Sequence, residues 1–149
     1  MRHVVILAAA ALAAMPALAE DFLRKPSPYS VAETVERLET AIEEGGARII
    51  ATVDHSAAAG EAGMELRPAT LVIFGNPQMG TPMMQQAPSM ALALPLRIAV
   101  YETAEGKTEL AYPDLQQTAR QHGAPAGLVQ VENAIRGLEA LTDKAVREE

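Results

Sequence analysis

Met79, Met83, Met84 and Met90 fall within one twelve-residue window of a 149-residue chain that holds seven methionines in all. Thioether sulfur is a soft donor that selects copper(I), and His55 offers an imidazole nitrogen, so these five side chains make a candidate copper(I) set. Methionine also fills irregular apolar gaps and builds adaptable binding surfaces. On that reading Met79, Met83 and Met84 line a ligand pocket or interface, with His55, Asn76 and His122 as its polar groups. The binding surface is the preferred reading, because adjacent Met83 and Met84 diverge by about 100° on a helix and so point away from a common metal.

A third chemistry is open to His55, which has the type of side chain that serves as general acid or base near neutral pH, with Asn76 orienting a substrate. No paired carboxylate and no nucleophile accompanies it. HExxH, GxSxG and a glycine-rich phosphate loop are all missing from the sequence. Asp54 and His55 do not make a dyad if both lie on a strand, since strand neighbours face opposite ways. A helix cap accounts for Asp54 without catalysis. His122 sits where a helix ends and a cation is favoured by the macrodipole. Asn76 suits a strand-ending turn on conformational grounds alone. The residues therefore favour a non-catalytic binding module over an enzyme.

Composition narrows the partners. Lys and Arg number 12 against 19 Asp and Glu, giving a formal net charge of −7, which opposes nucleic-acid phosphates. Cysteine is absent, so no disulfide, thiolate metal site or cysteine nucleophile exists. Residues 1–19 read as a secretory signal peptide: Arg2 and His3, an apolar run from Val4 to Met15, Pro16, and Ala17-Leu18-Ala19 ahead of a cut after Ala19. That run is shorter than the roughly 20 residues that span a bilayer. The expected address is the periplasm or exterior, with no membrane attachment after cleavage.

The elements that must position the candidate residues follow from periodicity and caps. Phe22 to Lys25 reads as a short strand stopped by Pro26 and Pro28. Ser30-x-x-Glu33 is a capping box, and Val31, Val35, Leu38 and Ile42 form the apolar stripe of a helix ended by Gly45-Gly46. Ala47 to Val53 alternates as a strand with Ala47, Ile49, Ala51 and Val53 on one face, which carries His55 to that face's end. A short helix spans Ala57 to Ala62. Leu71 to Phe74 lacks alternation and reads as a strand covered on both faces. Gln78 to Ala93 makes one or two helical turns at Met83 to Ala87 inside a long functional connection or lid. Leu94 to Glu102 and Lys107 to Tyr112 form a hairpin about Ala104-Glu105-Gly106. Asp114-x-x-Gln117 caps a helix ending at His122-Gly123. Residues 126–147 then make an amphipathic terminal helix with Leu128, Val131, Ile135, Leu138 and Leu141 on its apolar side. The order implies a single α+β domain over residues 20–149, a mostly antiparallel sheet of about five strands with helices packed on one side.

Asp54-His55, Gly63, Leu66-Arg67-Pro68, Phe74-Gly75-Asn76-Pro77, Gly80-Thr81, Met84, Pro88, Leu94-Pro95-Leu96-Arg97, Tyr112 and His122-Gly123 together resemble the bacterial and archaeal domain of unknown function 302. The resemblance covers residues 31–123. It implies a compact α+β domain with an antiparallel sheet of about five strands backed by helices, and homodimers in some members. It implies no activity and no cofactor.

Overall fold

Ser30 starts the first helix as the sequence predicts, its Oγ accepting from the Glu33 N–H at 3.2 Å. The computed structural model describes residues 22–148, so the expected signal peptide lies outside the described residues. Within them a five-stranded sheet forms from β1 (Phe22–Ser27), β2 (Arg48–Asp54), β3 (Ala69–Gly75), β4 (Leu96–Glu102) and β5 (Thr108–Pro113). Its order is β1-β5-β4-β3-β2, and every neighbouring pair is antiparallel. The helices are α1 (Val31–Glu44), α2 (His55–Glu61), α3 (Pro77–Gln86), α4 (Leu115–Gln121) and α5 (Val129–Val146), with a 3-10 turn at Pro88–Leu92. This is the expected α+β architecture with its C-terminal helix.

Side chains alternate about the sheet, and the face toward α1 and α5 is the core. Val72, Phe74, Ile98, Val100, Leu110 and Tyr112 are buried there against Leu38, Ile42 and Leu138. Each such aliphatic or aromatic side chain contributes about 1.5–3 kcal/mol by leaving water. Leu71 and Ile73 on the other face are only half-buried, so β3 is not enclosed on both sides as its unbroken apolar run suggested.

Two further strand expectations are corrected. β1 continues through Pro26 to Ser27, because an edge strand does not need the missing proline N–H for its single ladder. β2 carries a bulge between Ile49 and Ala51. Ile49 pairs with Phe74 on the core face, but Ala51 pairs with Ile73 and Val53 with Leu71 on the opposite face. One extra residue reverses the alternation, so Ile49 and Val53 do not share a side.

α5 is fastened by polar contacts that a hydrophobic stripe alone does not supply. Arg37 donates through Nε to the Ala145 carbonyl at 3.0 Å and through its terminal nitrogen to the Arg147 carbonyl at 2.8 Å. Its guanidinium lies 4.2 Å from the Tyr29 ring centroid, and the Tyr29 hydroxyl donates to the same Arg147 oxygen at 2.8 Å. Lys25 on β1 reaches Thr142 Oγ1 at 2.7 Å. The last carbonyls of a helix lack intrahelical donors, and Arg37 supplies them. Arg37→Ala is expected to lower the unfolding free energy by about 2 kcal/mol and to speed amide exchange first over residues 142–147, read by urea denaturation and hydrogen exchange. A loss under about 0.5 kcal/mol, the usual effect of an ordinary surface change, would remove the clamp from this account.

Candidate functional site

Asn76 ends β3 and begins α3. Its Oδ1 accepts from the Gln78 N–H at 2.9 Å, and Pro77 occupies the first helical position, where a missing N–H costs nothing. The segment expected as a long connection is therefore a ten-residue helix followed by the 3-10 turn. Pro82 lies inside that helix and deprives only the carbonyl of exposed Gln78 of its partner. The asparagine-proline pair reads as a sharp turn in sequence and acts as a cap and first residue in the fold.

Between α3, the end of β3 and the starts of β2 and β4 lies a cavity of about 570 Å³. Asn76, Met79, Met83 and Met84 all line it, with Ile49 and Ile50 from β2, Leu94 and Pro95 ahead of β4, and Ala134 from α5. Met79 and Met83 are one turn apart and share a helix face. Met83 forms the floor and is only 1% exposed, whereas Met84 is a half-buried wall. The lining is mainly apolar, with Arg48, Asn76 and Thr81 as its principal polar side chains. Such a size and character suit a small organic ligand.

The other candidate residues lie elsewhere. Met90 is buried in the core and, unlike Met83, does not line the cavity, so it is not placed to join a metal set there. His55 is exposed and is the first residue of α2, not the end of the Ile49–Val53 face. Gly75, beside Asn76, pairs with Arg48 at the opposite end of β2, which puts His55 about 20 Å from Asn76 at strand rise. Asp54 caps α2, its Oδ1 accepting from the Ala57 N–H at 2.9 Å and from the Ser56 hydroxyl at 2.6 Å. These bonds, the serine's first, hold its carboxyl below the ordinary aspartate value. His122 caps α4, with Nδ1 3.0 Å from Ser89 Oγ, a link to the 3-10 turn and not a cavity group. His55, Asn76 and His122 do not converge, so the catalytic assignment of His55 loses its geometry. The copper(I) set of His55 with four methionines is likewise not assembled. Among the described residues no group of three or more His, Asp and Glu is placed to hold a metal.

Sequence reasoning missed Arg48, Ile50 and Ala134, and marked Thr81 only through the family resemblance. A charge opening a strand and an alanine inside an amphipathic helix carry no signal of their own. Only the Leu94-Pro95-Leu96 block pointed at that side of the cavity.

The family profile described as "Domain of unknown function DUF302" matches residues 23–142. The chain is 43% identical over 96 residues to a protein of Brucella suis biovar 1 named "Fluoride-specific ion channel FluC 1", covering 64% of this chain and 38% of that one. A protein of the same name from Brucella abortus biovar 1 is 43% identical over the same length, with 36% of it covered. The chain thus spans little more than a third of the curated relatives it matches. A solved structure, an uncharacterized conserved DUF302 protein from Bacillus stearothermophilus, superposes with a TM-score of 0.77 at 21% identity, covering 87% of this chain and 100% of that one. That likeness establishes the fold. No helix among the described residues is long and apolar enough to cross a membrane.

The sulfur side chains divide by burial. Met83→Ala and Met90→Ala are each expected to cost about 2–4 kcal/mol, while Met79→Ala and Met84→Ala cost under about 1 kcal/mol, measured by urea denaturation. Equal losses at all four would place the whole cluster in the core and leave no wall for a ligand.

Proposed function

This chain belongs to the DUF302 family, a name that carries no activity, and we propose that it is an exported, non-catalytic module that binds a small ligand in the α3 cavity. The observation that carries this is the cavity itself. Gly75-Asn76-Pro77, Gly80-Thr81, Met84 and Leu94-Pro95-Leu96, which carry much of the family resemblance, all line it. Residues far apart in sequence thus meet around one mainly apolar space. Thioether side chains adapt their shape to an occupant, which suits a pocket that takes ligands and does not transform them. The Brucella proteins carry the name of a fluoride channel over chains of which this domain matches just over a third.

Nile red, a neutral apolar dye, is expected to brighten on the wild-type protein. Met84→Trp, which fills the cavity from its half-buried wall, should abolish the response, and Met64→Trp, at an exposed position away from the cavity, should keep it. An equal response from all three proteins would place the dye elsewhere and end the reading.

A second reading rests on Met79 and Met83, one turn apart on α3 and both lining the same apolar space: two neutral sulfurs there offer a copper(I) seat without His55 or Met90. Anaerobic titration of copper(I) against bathocuproine sulfonate is expected to show binding that the Met79→Leu, Met83→Leu double variant loses. Unchanged affinity in that variant would dispose of the copper reading.

A further inference from the structure

Arg48 is the one charged residue among the cavity's lining side chains, in a chain where acids outnumber bases 19 to 12. Several other cations are engaged by the protein: Arg37 holds carbonyls of α5, Lys25 holds Thr142, Lys144 meets Glu44 and Arg67 approaches Glu102 at 3.9 Å. The Arg48 guanidinium has no hydrogen-bond or ion-pair partner among the described residues. It pairs across the ladder with Gly75, the residue beside Asn76, so its side chain and the Asn76 amide start from neighbouring points on the rim.

The orientation of that amide is fixed by the fold. Asn76 Oδ1 must accept the Gln78 N–H to cap α3, which turns the NH₂ group the other way. One N–H makes a long bond of 3.4 Å to the Gly46 carbonyl, and the second is left to donate. A guanidinium presents five donors in a planar fork matched to a carboxylate. The rim thus offers donors from an exposed guanidinium and an oriented amide, and no acidic side chain lines the cavity. Behind them stand the sulfurs and Ile49, Leu94 and Pro95.

We propose that the ligand is an amphipathic carboxylate: an anionic head held at Arg48 with help from Asn76, and an apolar chain or ring lying along Met79, Met83 and Met84. This deepens the binding-module reading and rests on it. A neutral apolar molecule uses the wall but not the rim, and an alkylammonium meets a like charge.

Decanoate, decanol and decyltrimethylammonium distinguish these cases, with binding followed by calorimetry and by the methyl resonances of [ε-¹³C]methionine protein. Decanoate is expected to shift the Met79, Met83 and Met84 methyls and leave exposed Met64 unmoved. Arg48→Gln should weaken decanoate at least tenfold, Arg48→Lys less, and neither should alter decanol. Decanoate affinity should also fall with added salt. If decanol binds as tightly as decanoate and Arg48→Gln changes nothing, the anionic head is wrong while the cavity reading stands. Tightest binding by the alkylammonium overturns the charge assignment outright. If none of the three moves the three cavity methyls, the proposal and the binding module fail together.

Discussion

The sheet has one face to bury under helices, and the rest of the molecule follows from that constraint. α1 lies over β2, β3 and β4, while α5 packs against α1 and β1. Between them they cover Val72, Ile98, Val100 and Leu110 completely. The end of the sheet where β3 leaves and β4 begins falls to a short helix, α3, which reaches α5 but leaves a gap. Small residues keep the gap open: Gly75, Gly80 and Ala134 stand on its wall where longer side chains would intrude. A Cβ on Gly80 would already lie 3.4 Å from Leu94 Cδ1. The cavity is a consequence of dividing one face among helices of unequal length.

Much of this was legible in the sequence wherever a local interaction decides the structure. Ser30, Asp54 and Asp114 each cap a helix through a side-chain oxygen, as their spacing predicts. The β4–β5 hairpin and its core face of Ile98, Val100, Leu110 and Tyr112 follow from alternation and the turn at Gly106, whose φ of 73° suits glycine. α3 was not legible, because asparagine followed by proline starts a turn or a helix with equal local propriety. Burial of Met83, a tertiary event, selects the helix. The β2 bulge was invisible for a related reason: Ile50 is apolar yet 61% exposed, so its type gives no hint that it steps out of register.

At the candidate site the same division applies. The methionine cluster stands out by composition, but composition does not separate Met90, sealed in the core, from Met84 on the wall. That distinction depends on which face of α3 and of the 3-10 turn is turned into the core. The histidines drew notice for their chemistry, and the backbone placed both at helix ends, where short-range bonding explains them. Arg48 drew none, because an arginine opening a strand is ordinarily a solvated charge. Its interest comes wholly from Gly75 across the ladder and the apolar wall behind it.

Met83 belongs to two structures at once, the floor of the cavity and the buried cluster with Phe74, Ile98 and Leu138. In an open cavity of this size the apolar lining at that floor makes fewer dispersion contacts than a close-packed interior would. An occupant restores those contacts and acts energetically as a missing piece of core. At a hundred times its dissociation constant, any ligand adds about 2.7 kcal/mol to unfolding stability. Here that gain is delivered at the junction of α3, α5 and the sheet, where the helical layer is incomplete. Binding and folding therefore meet at Met83, and a thioether that repacks at little cost is well matched to standing between them.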